Sequence, residues 1–536
     1  MTKSTAVLIA VALIFCAFFF FPLTGFAVRA FESIGSTAQA GAASVLPGLL
    51  STLKFASIQA FLSAGLSVII ALPGAFALSR YSFPFRRLIK SLSLVSFVLP
   101  SIIVIICMIS FYGKTGVLNT LLGSDIKLIY SFAGIVVAHL FYNYALALRI
   151  IGDGWSRIGD EYRNISWSLG NGKVLTGLRV TLPMLLPSIL SAFSLIFIFC
   201  FMSFGIVLVF GGIRFSTLEV RIYQELYQKL NFGRGAAYAL VQIGISTLFL
   251  AVSGRLGVLL SGSERKTNIV ELKPLKQASV HTRIVLSVYW VAVCIFLFGP
   301  ILSMIGKSFF VDGAFTIKSY IALFNPDTAS RNIEGVIRST IGGVILRSIA
   351  IALGSGAVTF AVALAAATAL RGRKGMFWRA FFQLPMGMTV VGLAASLRLI
   401  LGEKVPIAIL VLAGQFFIAF PMVFRVTDTV VTDLKESLIE CAMSLGATPL
   451  RAFRTVLLPV LRRGLINAYA FAVAVAFADF AVVLGVGRGE IVTFPVAVYR
   501  LIGFKSFDLA LSLSTLYIGF CLIIFLIIDN TARSSR

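Results

Sequence analysis

Few residues in this chain are of the kind that break bonds. There are two histidines, His139 and His281, and six scattered cysteines: Cys16, Cys107, Cys200, Cys294, Cys441 and Cys521. No Cys-x-x-Cys pair or paired spacing suggests zinc or a disulfide framework. The shortage of histidine argues against a hydrolytic triad, so no catalytic residue and no metal ligand is expected. A phosphate-binding loop needs Gly, four residues, then Gly-Lys-Ser/Thr. Gly113-Lys114-Thr115 has Met108 at the first glycine position, and Gly306-Lys307-Ser308 has Ile301 there. What remains is Asp479, a carboxylate inside an apolar run. Such a group is costly in lipid and usually faces a protein interior. It suits attraction of a cation, to which Phe480 and Phe204 would offer ring faces. With Ser203, His139 and Asn143 these residues are the candidate solute path. Packing and interhelical hydrogen bonding are the competing roles for each.

Two loops carry a second pattern. One runs Asn164-Ile165-Ser166-Trp167-Ser168-Leu169-Gly170, nine residues, then Val180-Thr181-Leu182-Pro183. The other runs Glu440-Cys441-Ala442-Met443-Ser444-Leu445-Gly446, nine residues, then Val456-Leu457-Leu458-Pro459. Residues 433–445 have a helix-forming composition. Gly446 suits the positive φ of a helix C-terminus, Thr448-Pro449 the start of a second short helix, and Leu-Pro the end of that helix. The expected object is a short helix lying across a membrane face. It is either a protein-docking element or an amphipathic interfacial helix.

The elements that must position these loops follow from composition. Of 536 residues, 59% are hydrophobic and 12% charged, yet the net charge is +25. A soluble chain of this length cannot bury so much apolar surface. A nucleic-acid-binding patch is excluded because the basic residues are dispersed between apolar runs. Runs long enough to cross a bilayer lie at 5–27, 55–78, 91–112, 129–150, 188–212, 236–261, 284–306, 343–370, 377–401, 406–424, 466–487 and 508–529, which predicts twelve spans. The stretch after Lys3 reads as a retained anchor, being longer than a signal peptide's apolar core. Of the 46 basic residues, 28 fall in one alternating set of connections. That places this set, both docking loops and both termini on the cytoplasmic side. The segments 28–50, 113–128, 213–235, 307–342, 402–405 and 488–507 are then expected to face outward.

The two halves repeat. One offset of 276 pairs Gly170 with Gly446, Leu182-Pro183 with Leu458-Pro459, Phe204 with Phe480, Thr217 with Thr493, Tyr223 with Tyr499 and Arg149 with Arg425. Six spans per half makes the repeat parallel. The expected domains are 1–262, with a loop at about 151–187, a cytoplasmic linker at 263–283, and 284–536, with a loop at about 425–465.

The second loop resembles the motif of ATP-binding cassette (ABC) importer permeases: Glu-Ala-Ala, three residues, Gly, nine residues, an aliphatic, any residue, Leu-Pro. The first keeps the spacing, with Asn164 replacing Glu and Trp167 near the small positions. The resemblance implies an all-α polytopic membrane protein of the type I importer permease fold, twelve transmembrane helices in two repeats. It implies that Asn164, Ser166, Trp167, Gly170 and Pro183, and Glu440, Cys441, Ala442, Gly446 and Pro459, couple to two copies of an ABC ATPase subunit. A further partner would be an extracytoplasmic substrate-binding protein, and the location the cell inner membrane. No cofactor is expected in this chain, since ATP would sit on the partner, and no nucleic acid. The chain itself would not be an enzyme.

Two copies in one chain resemble fused permeases of the iron(III)/thiamine group. The run Thr217-Leu218-Glu219-Val220, then Ile222-Tyr223-Gln224, leans toward thiamine. The implied function is import of thiamine or its phosphates by alternating access. Iron(III) or a polyamine is the alternative solute, and a secondary transporter is the alternative class.

Overall fold

The structure is a computed structural model. It describes residues 3–36, 38–84, 86, 89, 99–212, 214–260, 272–311, 313–324, 335–371, 375–432, 441–448, 451, 455 and 458–533. The chain is an all-α polytopic membrane protein. Helices satisfy every backbone group internally, as lipid requires. Among the described residues, strand occurs only as two short pairs, Tyr81–Ser82 with Lys273–Pro274 and Phe310–Val311 with Ala314–Phe315.

Among the described residues nine helices are long and apolar enough to span a membrane unbroken, and two more helix pairs do so with a bend. The last expected span, 508–529, falls on the helix Phe507–Arg533. Four expected spans and one expected outer segment differ most from the structure. The run 377–401 is two helices, Met376–Gly387 and Val390–Leu401, meeting at 91°. Pro385 and Gly387 interrupt the ladder, and Thr389 starts the next helix by accepting the Gly392 N–H. The run 466–487 is bent by 55° at Asp479–Phe480. The run 188–212 is displaced, because its helix begins at Lys173 and ends at Phe201. The third span runs Ser101–Leu122 in place of 91–112, where 91–98 lie outside the described residues. Finally, part of the expected outer segment 28–50 is helical, since Ala38–Arg80 is one helix.

Small residues set the packing. In the helix Ala38–Arg80, Ala56, Ala60, Ser63, Ala64, Ser67, Ala71 and Ala75 are buried, while Phe61, Leu62, Leu66 and Ile69 are exposed. The helix Ile341–Leu370 repeats the scheme, burying Ser348, Ala352, Ser355, Gly356, Thr359, Ala363 and Ala367. In lipid, close backbone approach along small residues replaces the hydrophobic drive. A Cβ on Gly356 would lie 2.5 Å from a Val473 methyl.

Two compact units result. One contains residues 1–39, 222–240 and 308–536, the other 40–221 and 241–307. The units therefore do not coincide with the halves of the sequence: residues 1–39 and 222–240 of the first half belong with 308–536, and residues 280–307 of the second belong with the rest of the first. In the first unit Phe15, fully buried, packs its ring 5.2 to 5.7 Å from Phe381, Phe382, Phe417 and Phe420. In the second, the helix containing residues 280–307 is held by polar contacts. Tyr144 and Tyr289 hydroxyls meet at 2.6 Å, and Ser110 and Ser303 hydroxyls at 2.8 Å.

Candidate docking loops and bent spans

The first loop is the helix Asp160–Ser168, a turn, and the helix that leads into the next span. Its end is a Schellman motif: Gly170 N–H donates to the Trp167 carbonyl at 2.9 Å and Asn171 N–H to the Ser166 carbonyl at 3.1 Å. Gly170 takes φ +81°. At the same offset of 276, Gly446 N–H donates to the Met443 carbonyl at 2.9 Å and Ala447 N–H to the Ala442 carbonyl at 3.1 Å. Gly446 takes φ +82°. The positive φ expected at Gly446 is thus present, and Gly170 shares it.

Ser166 is buried, where its hydroxyl meets Thr176 Oγ1 at 2.9 Å and accepts from Asn171 Nδ2 at 3.2 Å. Those bonds staple the two arms of the turn. Outside them the surface is apolar: Trp167 is 43% exposed and Leu169 76%, and their repeat mates Met443 and Leu445 are 49% and 84% exposed. Asn164 and Cys441 are exposed too, and Ala442 is half-buried. Glu440 lies outside the described residues. Thr448 Oγ1 accepts the Arg451 N–H at 3.3 Å, the bond of a helix N-cap, as expected from its position.

The Leu-Pro pairs do not end a helix. Leu182 and Pro183 lie inside one continuous helix, Lys173–Phe201, and Leu458 and Pro459 are themselves helical, residues 456–457 before them lying outside the described residues. Proline lacks the N–H that would bond four residues back, and its ring crowds that carbonyl. A wide π-turn at Gly177–Thr181 precedes Pro183 and absorbs the mismatch without a break.

Charge fixes the first loop at its start. Asp160 pairs with Arg80 at 2.5 Å, Arg163 at 3.0 Å and Lys273 at 3.3 Å. Arg80, 5% exposed, also donates to the Ile158 carbonyl at 2.8 Å. Asp160 sits in the first helical turn, where a carboxylate also meets the positive end of the helix dipole. Lys273 belongs to the linker, whose backbone pairs in parallel with Tyr81–Ser82.

The spans after the loops break at equivalent places. In the first half the helix Leu182–Phe201 stops, and Gly205–Phe210 follows after Met202–Phe204. In the second, Leu458–Ala478 stops and Ala481–Gly487 follows after Asp479 and Phe480. His139 Nε2 lies 2.8 Å from Ser203 Oγ, and Thr217 Oγ1 donates to the Ser203 carbonyl at 2.7 Å. In the second half Gln415 Nε2 donates to Asp479 Oδ2 at 3.3 Å and to the Ala476 carbonyl at 3.1 Å. Asp479 Oδ1 accepts the Val482 N–H at 3.2 Å and so caps the short helix beyond the bend.

The structure brings together His139, Ser203 and Asn143, the last donating to the His139 carbonyl at 2.9 Å. Asp479 and Phe480 lie together at the other bend, where the Phe480 ring centroid is 5.2 Å from that of Tyr499. Phe204 is buried at the first bend. The sequence reading missed Gln415, although the repeat offset applied to His139 points to it. It also missed Gln59, fully buried, which donates to the Cys200 carbonyl at 2.6 Å.

No protein-family model matches the chain. Among curated proteins it is similar to the thiamine transport system permease protein ThiP of Escherichia coli (strain K12), 28% identical over 495 residues, 89% of this chain and 88% of that protein. ThiP of Haemophilus influenzae is 26% identical over 489 residues, 88% of this chain and 87% of that protein. A probable sulfate transport system permease protein, cysT of Nephroselmis olivacea, is 30% identical over 206 residues, 38% of this chain and 71% of that protein. Twin motif loops, matching bends and these relatives agree: the chain belongs to the transport system permease family of ABC importers, with two permease copies fused in one polypeptide.

Proposed function

We propose that this chain is the membrane subunit that carries thiamine, or its phosphates, into the cytoplasm. Similarity to ThiP proteins along about nine-tenths of the chain carries this reading. Hydrolysis of ATP belongs to two copies of a separate ATPase subunit, and delivery of solute to an extracytoplasmic binding protein. The loops around Gly170 and Gly446 seat the ATPase subunits. Their exposed Trp167, Leu169, Met443 and Leu445 supply the apolar contact, and in the first loop the Schellman turn and the Ser166–Thr176 bond hold the docking helix to the helix that leads into the next span. Closure of the ATPases pulls both loops, and the rigid helices behind them change which side of the membrane the solute path opens to. The excess of Lys and Arg in these connections supports a cytoplasmic position for the loops and both termini.

The test is reconstitution. Liposomes holding this chain, its ATPase and its binding protein should accumulate labelled thiamine only with ATP. Uptake driven by an ion gradient without the ATPase would favour a secondary transporter and reject this assignment.

A further inference from the structure

Asp479 is a carboxylate at the bend of an apolar span, and each of its two oxygens accepts a hydrogen bond. Oδ1 caps a helix, while Oδ2 receives one hydrogen bond from an amide. Among the described residues no lysine, arginine or histidine forms an ion pair with it. Beside it, Gln415, 2% exposed, has an Oε1 with no hydrogen-bond partner. A buried acceptor without a donor is unfavourable. A negative group and an unsatisfied acceptor thus face one neighbourhood within the first compact unit.

Aromatic rings lead away from that point. Phe480 packs on Tyr499 at 5.2 Å, Tyr499 is near enough to Tyr223 to interact electrostatically, and Tyr223 stacks on Tyr227 at 5.2 Å and 29°. At the far end a cation already sits on a ring, since the Arg488 guanidinium lies 5.3 Å from the Tyr227 centroid. One ring of this row thus already carries a delocalised cation, and the Asp479 carboxylate lies next to Phe480 at its other end.

We propose that Asp479, Gln415, Phe480, Tyr499 and Tyr223 form a binding site within this chain for a planar organic cation. The carboxylate balances the charge, the Gln415 carbonyl accepts a donor group, and the rings hold the flat face. The identity of the cation rests on the thiamine reading, whose thiazolium ring fits this description; the site itself does not.

The experiment uses the full permease–ATPase complex in nanodiscs without binding protein, titrated with thiamine and with N-methylpyridinium, alongside Asp479→Asn, Tyr499→Leu and Tyr499→Phe. Asparagine keeps an oxygen for the Val482 N–H, and co-purification of the ATPase checks folding. Asp479→Asn should weaken binding of either cation by about tenfold or more, and Tyr499→Leu by several-fold, with Tyr499→Phe near wild type. Wild-type affinity in either Asp479→Asn or Tyr499→Leu overturns the site. Absence of thiamine transport by the wild type, with Asp479-dependent binding of N-methylpyridinium, rejects thiamine as the solute and keeps the site. Absence of binding for both cations overturns the site whatever the solute.

Discussion

Nε2 of His139 lies 2.8 Å from the hydroxyl of Ser203 and so ties one span to the break in another. The same two positions in the other half hold Gln415 and Asp479, again hydrogen-bonded. The chemistry has diverged while the bond has been kept. A bent span needs such a tie because its backbone ladder is interrupted there.

His139→Gln should therefore be tolerated, since glutamine makes the equivalent bond in the other repeat. His139→Leu should cost about 1–3 kcal/mol by leaving Ser203 without that partner. Thermal unfolding of the purified protein in detergent distinguishes the two. Equal melting temperatures for both variants would remove the tie's importance.

Gly170→Val and Gly446→Val should each disturb coupling. Both positions hold φ above +80°, where a β-branched residue is strained by about 1–2 kcal/mol or more. Nothing lies within 4 Å of a Cβ built at either site. The effect is then one of turn geometry alone, with spans and expression preserved. ATP-driven uptake should fall in both, and full uptake in Gly446→Val would separate the turn from transport.

Trp167→Ala and Leu445→Ala should weaken ATPase docking. Both side chains are exposed and apolar on the loop surface. Central apolar anchors at interfaces cost about 2 kcal/mol when truncated, roughly 30-fold in affinity. Quantitative co-purification of the ATPase reads this directly, and undiminished recovery would move the docking surface elsewhere.

Asp160→Asn should destabilise the first loop more than any single surface charge change. Arg80 is 5% exposed and would lose its carboxylate, while Arg163 and Lys273 would lose a shared one. Breaking this part-buried pair costs about 2 kcal/mol, less than for a fully buried one. Hydrogen exchange should show faster opening of Asp160–Ser168. Exchange at the wild-type rate would assign the loop's order to the Ser166–Thr176 staple alone.

The two glycine turns were legible in the sequence because glycine is the residue that takes positive φ cheaply, and its spacing to Leu-Pro is repeated. The bends at Pro385 and Asp479 were not, because a hydropathy window averages across one proline or one carboxylate and reports a continuous apolar run. The continuation of the helix through Pro183 was hidden for a related reason. Whether proline stops a helix depends on the turn before it, here the π-turn at Gly177–Thr181. Membership of the compact units was least visible, since Phe15 carries no mark of the rings it meets more than 360 residues later.

That distance has a consequence for how the protein is made. Ribosomes add roughly 5–20 residues per second, so Phe15 enters the membrane tens of seconds before Phe381 and Phe417 exist. Unit two is complete once residue 307 emerges, whereas unit one begins first and finishes last. The opening helix must wait in lipid without its partners, and its face of phenylalanines suits it to both neighbours, acyl chains first and aromatic rings afterwards. Biogenesis of this chain is thus a problem of timing, in which the earliest segment is the one held longest in reserve.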